Sequence, residues 1–138
     1  MNIDSIKNGI VIDHIEAGRG MEIYNLLKLD SLDSSVAIIM NASSRKMGKK
    51  DIIKIDAKID LDMDILGFVS PSATVDIIID GVLVEKRKMT LPDKLTNVIY
   101  CHNPRCISST EQELPHIFKL TNKDKREYRC VYCETRGK

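Results

Sequence analysis

All four cysteines of this 138-residue chain lie between residues 101 and 133, in two short-spaced pairs. The pairs are Cys101 with Cys106 and Cys130 with Cys133. Each pair can direct two sulfurs to one ion through a tight turn, and four thiolates complete the tetrahedron that a structural zinc ion prefers. A segment of about forty residues is also of a size that usually needs a metal ion or a cross-link to fold. The sequence therefore predicts one structural zinc ion per chain, held by these four cysteines.

Three alternatives to zinc are two disulfides, a redox-active Cys-Val-Tyr-Cys pair and an iron–sulfur site. Disulfides are disfavoured because the start of the sequence lacks the basic and then apolar layout of a secretion signal. A redox pair at 130–133 leaves the other cysteine pair unexplained. Iron in the same four-sulfur cage stays open as the main alternative. A catalytic zinc ion would need an open coordination position, and four thiolates leave none. Because the four sulfurs complete the site, His102 and His116 are not needed as ligands and are expected at the surface.

The cysteine-free part of the chain ends near a break in its apolar pattern. The break lies at residues 90–94, where Pro92 interrupts the sequence as a connector between two packing units would. We therefore expect two domains, residues 1–92 and residues 98–138. An apolar share of 43% is enough for a buried core, and no apolar run approaches the roughly 20 residues that cross a membrane. A cytoplasmic location without a membrane partner is the expectation.

The first domain is predicted to begin with a strand and a helix, followed by two strands. A β-branched run from Gly9 to Ile15 predicts the first strand. Apolar residues at three- and four-residue spacing after Arg19 predict the helix. Two short apolar runs at 36–40 and 51–55 predict two neighbouring strands, joined by a polar loop at 41–50.

A second helix and a hairpin are predicted next. Asp60 is the expected N-cap of the helix, and Pro71 prevents the helix from continuing. The apolar runs at 74–79 and 82–84 flank Asp80-Gly81, which is a strong hairpin signal. The order β-α-β-β-α-β with one more strand is typical of a ferredoxin-like fold. The expected class is α+β, with a ferredoxin-like N-terminal domain (an antiparallel sheet with two helices) and a small all-β, zinc-ribbon-like C-terminal domain.

Cations gather on or beside two of the predicted strands. Lys50 and Lys54 are four residues apart and so share one face of a strand. Such a face can neutralise a phosphate group, but it is also typical of a solvated edge strand. The sequence contains no glycine-rich phosphate loop and no nucleophile elbow. The residues alone leave both interpretations open for these cations: Lys46, Lys49, Lys50, Lys54, Lys86, Arg87 and Lys88.

Several motifs, in this order and spacing, resemble the regulatory chain of aspartate carbamoyltransferase over nearly the whole chain. They are residues 11–15 (Val-Ile-Asp-His-Ile), 47–55, 71–75, Leu91-Pro92 and the two cysteine pairs. The resemblance implies a non-catalytic regulatory subunit of pyrimidine biosynthesis. Its N-terminal allosteric domain would bind nucleotides of the CTP or ATP type and form regulatory homodimers. Its zinc domain would dock onto separate catalytic chains.

The resemblance also implies six nucleotide contacts by position. Two would contact the base and ribose (Asp13, Lys54), two would lie at the phosphates (Lys86, His14), one would line the pocket (Val11), and one would lie near the place for a second nucleotide (Lys50). One position departs from the pattern, because Asp76 stands where asparagine is expected. A carboxylate repels a polyphosphate unless a cation intervenes.

Two other classes of function compete with this interpretation. A zinc-ribbon nucleic-acid module is suggested by the basic segment 119–129 beside Tyr132. Asp124 and Glu127 interrupt that segment, however, and the formal net charge is only +1. An enzyme acting on small molecules through its lysines is disfavoured because no base, nucleophile or open metal position is identifiable. Nucleic acid is therefore not an expected partner.

Overall fold

The computed structural model describes residues 6–137, which divide into two compact units between Thr90 and Leu91. No helix in this part of the chain has the length and apolar character needed to cross a membrane.

The N-terminal unit is one antiparallel sheet with two helices. Its strands are β1 (Gly9–Glu16), β2 (Val36–Ser44), β3 (Gly48–Ile55), β4 (Thr74–Ile79) and β5 (Val82–Lys88). Its helices are α1 (Gly20–Leu26) and α2 (Met63–Val69), with a 3-10 turn at Leu29–Ser31. The strand order is β2-β3-β1-β4-β5, which is the ferredoxin-like order with one strand added at the edge. The predicted α+β class is confirmed.

The core of this unit is built from β-branched residues on one face of the sheet. Ile12 lies directly opposite Ile53 on β3 and Val75 on β4, and all three side chains are fully buried. Ile23 of α1 and Leu66 of α2 are buried in the same cluster. Because side chains alternate between the two faces of a strand, the residues between these isoleucines point to the other face. No helix among the described residues covers that second face, which we call the open face.

The N-cap of α2 differs from the prediction. The Asp62 carboxylate, not that of Asp60, accepts hydrogen bonds from the N–H groups of Asp64 (3.0 Å) and Ile65 (3.3 Å). Asp60 is exposed, two residues upstream. The prediction of Asp60 was wrong because the helix begins at Met63, and a cap must immediately precede the first turn.

The two hairpins of the sheet also differ from each other in how well they were predicted. The turn at Asp80-Gly81 is confirmed, with φ values of 52° and 77° that suit a type I′ turn. The loop predicted at 41–50 is wrong in its extent, because β2 continues to Ser44 and β3 begins at Gly48. This polar half of the hairpin remains paired, with a bulge where Asn41 has a φ of 59°.

The C-terminal unit is a three-stranded antiparallel sheet with one helical turn. Its elements are β6 (Lys94–Thr96), α3 (Ile107–Thr110), β7 (Ile117–Asn122) and β8 (Glu127–Cys130), and the strand order is β6-β7-β8. Leu95, Phe118 and Tyr128 are its largest buried side chains. The Tyr128 hydroxyl donates to the carbonyl oxygen of Pro92 at 2.6 Å. Strand β6 therefore lies within the segment between the two predicted domains and belongs to the C-terminal sheet.

Candidate functional site

The four cysteine sulfurs form one compact cluster. All four Sγ atoms lie within 4.8 Å of one another, with 3.6 Å between Cys101 and Cys133 and 3.7 Å between Cys106 and Cys130. A tetrahedral zinc ion with Zn–S bonds of about 2.3 Å places its sulfurs about 3.8 Å apart. All four cysteines are free thiols, and all but Cys133 are buried. The cluster therefore fits a four-coordinate metal ion.

Hydroxyl groups surround the sulfur cluster. The hydroxyl of Ser108 lies 3.0 Å from the Cys106 sulfur, and that of Thr135 lies 3.1 Å from the Cys133 sulfur. Hydrogen bonding to Thr135 lowers the pKa of the Cys133 thiol to about 6, whereas burial raises the pKa of the Cys101 thiol to about 12. Four thiolates this close together would repel one another, so the fully ionised cluster needs a cation at its centre.

The two histidines of the C-terminal unit do not belong to this cluster. His102 is exposed. His116 accepts a hydrogen bond from the Cys101 backbone N–H at its Nδ1 atom (3.2 Å), and its ring lies edge-on to Tyr100. His116 thus supports a cysteine loop, which its sequence position alone did not indicate.

A row of four side chains crosses the open face of the N-terminal sheet. In the strand register, Lys54 lies opposite Val11, Val11 lies opposite Asp76, and Asp76 lies opposite Lys86. Directly opposite residues of antiparallel strands share a face. The row therefore runs over β3, β1, β4 and β5, and it brings together two lysines that are far apart in sequence.

A second group lies beside this row, where β1 bulges. The Lys50 ammonium contacts the Asp13 carboxylate at 2.9 Å, and the backbone N–H of His14 donates to the same carboxylate at 2.6 Å. The His14 ring lies 3.0 Å from the Thr74 hydroxyl. His14 has a φ of 56°, and the β1–β3 register shifts at this point. The bulge changes the direction in which the side chains of this segment point, which is a common role of bulges beside functional sites.

The pKa values of Asp13 and Asp76, two aspartates of the open face, are shifted in opposite directions. Burial raises the pKa of Asp13, but the hydrogen bonds from Lys50 and His14 outweigh that effect and hold it below its ordinary value. Burial raises the pKa of Asp76, and the charge of Lys86 offsets this only in part. One Asp76 oxygen is buried without a hydrogen-bond partner in the described part of the chain. The sequence indicated the charge of Asp76 but not this unpartnered oxygen.

Asp51 is a structural residue that the sequence analysis missed. Its side chain is fully buried on the core face of β3 and accepts hydrogen bonds from the N–H groups of Gly18 (3.1 Å), Gly20 (2.9 Å) and Asn41 (3.0 Å). A Cβ atom at Gly20 would lie 2.9 Å from this carboxylate. Asp51 thus joins the turn before α1 to the bulge of β2. A carboxylate at the first position of the apolar run 51–55 was the available signal.

The structure brings all six predicted nucleotide contacts to one region of the sheet. Their role as nucleotide contacts stays a prediction. Arg87, by contrast, lies opposite Val75 on the other side of β5 and pairs with Glu85 at 2.7 Å. The six residues are Val11, Asp13, His14, Lys50, Lys54 and Lys86.

The fold and the sulfur cluster define a class: a chain of two units, one α+β and one small and mainly β, whose second unit carries four clustered cysteines that can hold a metal ion. Comparison with known families gives two adjacent matches. Residues 1–90 match the allosteric domain of the aspartate carbamoyltransferase regulatory chain. Residues 93–138 match the metal binding domain of the same chain.

Individual relatives agree with the family matches over nearly their full length. The aspartate carbamoyltransferase regulatory chain of Clostridium acetobutylicum is 52% identical over 97% of this chain and 92% of the relative. That of Clostridium tetani is 52% identical over 97% and 94%. That of Bifidobacterium longum is 44% identical over 100% and 99%. The chain belongs to the family of aspartate carbamoyltransferase regulatory chains, and it is a regulatory and not a catalytic subunit.

Proposed function

We propose that this chain binds nucleoside triphosphate effectors on the open face and transmits their effect to the catalytic chains of aspartate carbamoyltransferase in pyrimidine biosynthesis. The observation that carries the proposal is the convergence of Lys54, Lys86, Lys50 and His14 on one face of one sheet. A triphosphate needs several cationic donors at once, and lysines supply them as compact charges.

The spacing of the row favours an elongated ligand. Lys54 and Lys86 are separated by three inter-strand steps of about 4.8 Å, so their backbones lie about 14 Å apart. A ligand with two chemically different ends suits this separation. Lys54 would contact the base and ribose, and Lys86 the phosphates. Val82, Leu83 and Val84 on β5 are each more than half exposed and offer apolar surface beside Lys86.

Calorimetric titration with CTP, ATP and cytidine tests this assignment. Lys86→Ala should weaken the triphosphates far more than the nucleoside, whereas Lys54→Ala should weaken both. The affinity of the wild-type protein should fall as salt rises, because the lysines act through charge. Arg87→Ala is the matched control. Arg87 follows Lys86 in sequence and has the same charge, but it lies on the other face of β5. Equal affinities of wild type, Lys54→Ala and Lys86→Ala for CTP would contradict the proposal.

We propose further that the metal is one structural zinc ion held by Cys101, Cys106, Cys130 and Cys133. The sulfur spacing supports this choice, since four thiolates complete the tetrahedral coordination of a structural zinc ion. When bound, zinc neutralises the thiolates and cross-links the two cysteine loops. The C-terminal unit would dock onto the catalytic chain, and exposed apolar side chains near the cysteines suit such a surface. They are Tyr100, Ile107, Val131 and Tyr132.

Two copies of the chain would form the regulatory dimer. Among the described residues, the outer strands β2 and β5 each pair on one side only, so the sheet has two edges at which another strand can add. Sedimentation of the isolated chain measures whether two copies associate.

The nucleic-acid alternative gains no support from the basic segment 119–129. Arg129 contacts the Glu127 carboxylate at 2.8 Å, so part of the positive charge is neutralised within β8 itself. A phosphate backbone needs a row of uncommitted cations.

A further inference from the structure

We infer that Asp76 sets the charge specificity of the open face: its carboxylate opposes the phosphates of a bound nucleotide, so that phosphate binding is coupled to the uptake of one proton by Asp76. This inference rests on the proposed nucleotide binding and names the residue that limits it.

The position of Asp76 is central in the row. It lies directly opposite Val11 on one side and Lys86 on the other, between the proposed base end and the proposed phosphate end of the site. One of its carboxylate oxygens is buried and has no hydrogen-bond partner among the described residues. A buried acceptor without a partner is costly, and it lacks the donors that would hold the charged form.

The charged groups around Asp76 do not compensate it fully. Asp13 and His14 from β1, Lys86 from β5 and Lys50 from β3 act on the charge of Asp76. Besides Lys50, the same face carries three lysines in all. Lys50 is already committed to Asp13 at 2.9 Å. The three lysines on the face are Lys54, Lys86 and Lys88.

Phosphate binding would remove the compensation that remains. Lys86 is the cation that most lowers the pKa of Asp76, and it is also the proposed phosphate contact. When Lys86 turns to a phosphate, Asp76 loses its main partner and gains a like charge nearby. Both changes favour the neutral carboxyl, whose pKa burial already raises. Binding therefore takes up a proton, and affinity rises as pH falls through the pKa of Asp76 in the complex.

The test is a calorimetric titration of the full chain with cytidine, CMP and CTP, near pH 5 and near pH 8, in two buffers of different ionisation enthalpy. Asp76→Asn should bind CTP about tenfold more tightly than wild type at the higher pH, which corresponds to one pKa unit of coupling. The gain should shrink at the lower pH and should shrink from CTP to CMP to cytidine. Fewer protons should be taken up on CTP binding by Asp76→Asn than by wild type. Because His14 faces Asp76, the comparison is repeated in a His14→Gln background, in which the difference in proton uptake should persist.

The matched control is Asp60→Asn, an exposed aspartate in the loop before α2, which should bind like wild type. Asp76→Ser should also bind CTP more tightly than wild type, and it is the variant to use if Asp76→Asn does not fold. Equal CTP affinity and equal proton uptake in wild type and Asp76→Asn would overturn the inference and leave the proposed binding intact. CTP binding by Asp76→Asn alone would support the inference and contradict nucleotide binding by the natural protein. No CTP binding by either protein would overturn both.

Discussion

The two units of this chain reach stability by different means. The N-terminal unit buries a face of isoleucine and valine beneath two helices, and twelve apolar residues form its buried cluster. The C-terminal unit has three large buried side chains and a cluster of four sulfurs. A small unit buries too little apolar surface to hold itself together, so an ion takes the place of part of a core. We therefore expect that each unit can be unfolded without the other.

The largest effect expected is loss of the metal ion. Cys130→Ala removes one of four ligands and should unfold the C-terminal unit, because structural zinc contributes roughly 10 to 16 kcal/mol in small peptide domains. The N-terminal unit should stay folded and keep its ligand affinity, while assembly with the catalytic chain should be lost. Metal content, protease protection of residues 98–138 and co-sedimentation with the catalytic chain measure these three results.

Val131→Ala, at an exposed position beside Cys130, is the control for metal content and protease protection and should leave both unchanged. If residues 98–138 remained protected from protease in a metal-free sample, the C-terminal unit would not depend on the ion for its fold, and the proposed difference between the two units would be wrong.

A smaller effect is expected from a core truncation in the other unit. Ile12→Ala deletes a fully buried side chain between two strands and should destabilise the N-terminal unit by about 2 to 5 kcal/mol. The C-terminal unit should keep its metal with unchanged affinity. Denaturant unfolding with a separate probe for each unit measures both. Val82→Ala, 61% exposed, should change stability by less than about 0.5 kcal/mol. If Ile12→Ala also released the metal, the units would not be independent.

The smallest effect concerns a helix end within the N-terminal unit. Asp62→Ala removes the acceptor for two backbone N–H groups of α2 and should cost about 1 kcal/mol. Asp60→Ala, two residues upstream and exposed, should be nearly neutral. Equal losses in the two variants, measured by denaturant unfolding, would show that the carboxylates act through general charge at the helix start and not through the cap.

The comparison of Asp60 with Asp62 also shows what the sequence could not settle. Both residues are aspartates before an apolar repeat, and propensity does not distinguish them. The strands and the Asp80-Gly81 turn were predictable because each depends on residues that are close in sequence. The cysteine cluster was predictable because each of its two pairs has the short spacing of a metal-binding turn.

The open face was less accessible to sequence reasoning. Lys54 and Lys86 meet in one row only through the registers of three strand pairs. The role of Asp51 depends on donors from the β1–α1 turn and from the bulge of β2, whose positions follow from the tertiary fold. Composition and periodicity do not contain this information.

Adjacent residues of β3 point to opposite faces of the sheet, so one peptide bond joins a residue on the open face to a residue on the core face. Lys50 contacts Asp13 on the open face, and the next residue, Asp51, holds the N–H groups at the start of α1 on the core face. The ion pair on the open face and the anchor of the helix start are therefore held by neighbouring residues of one strand, with a single peptide bond between them.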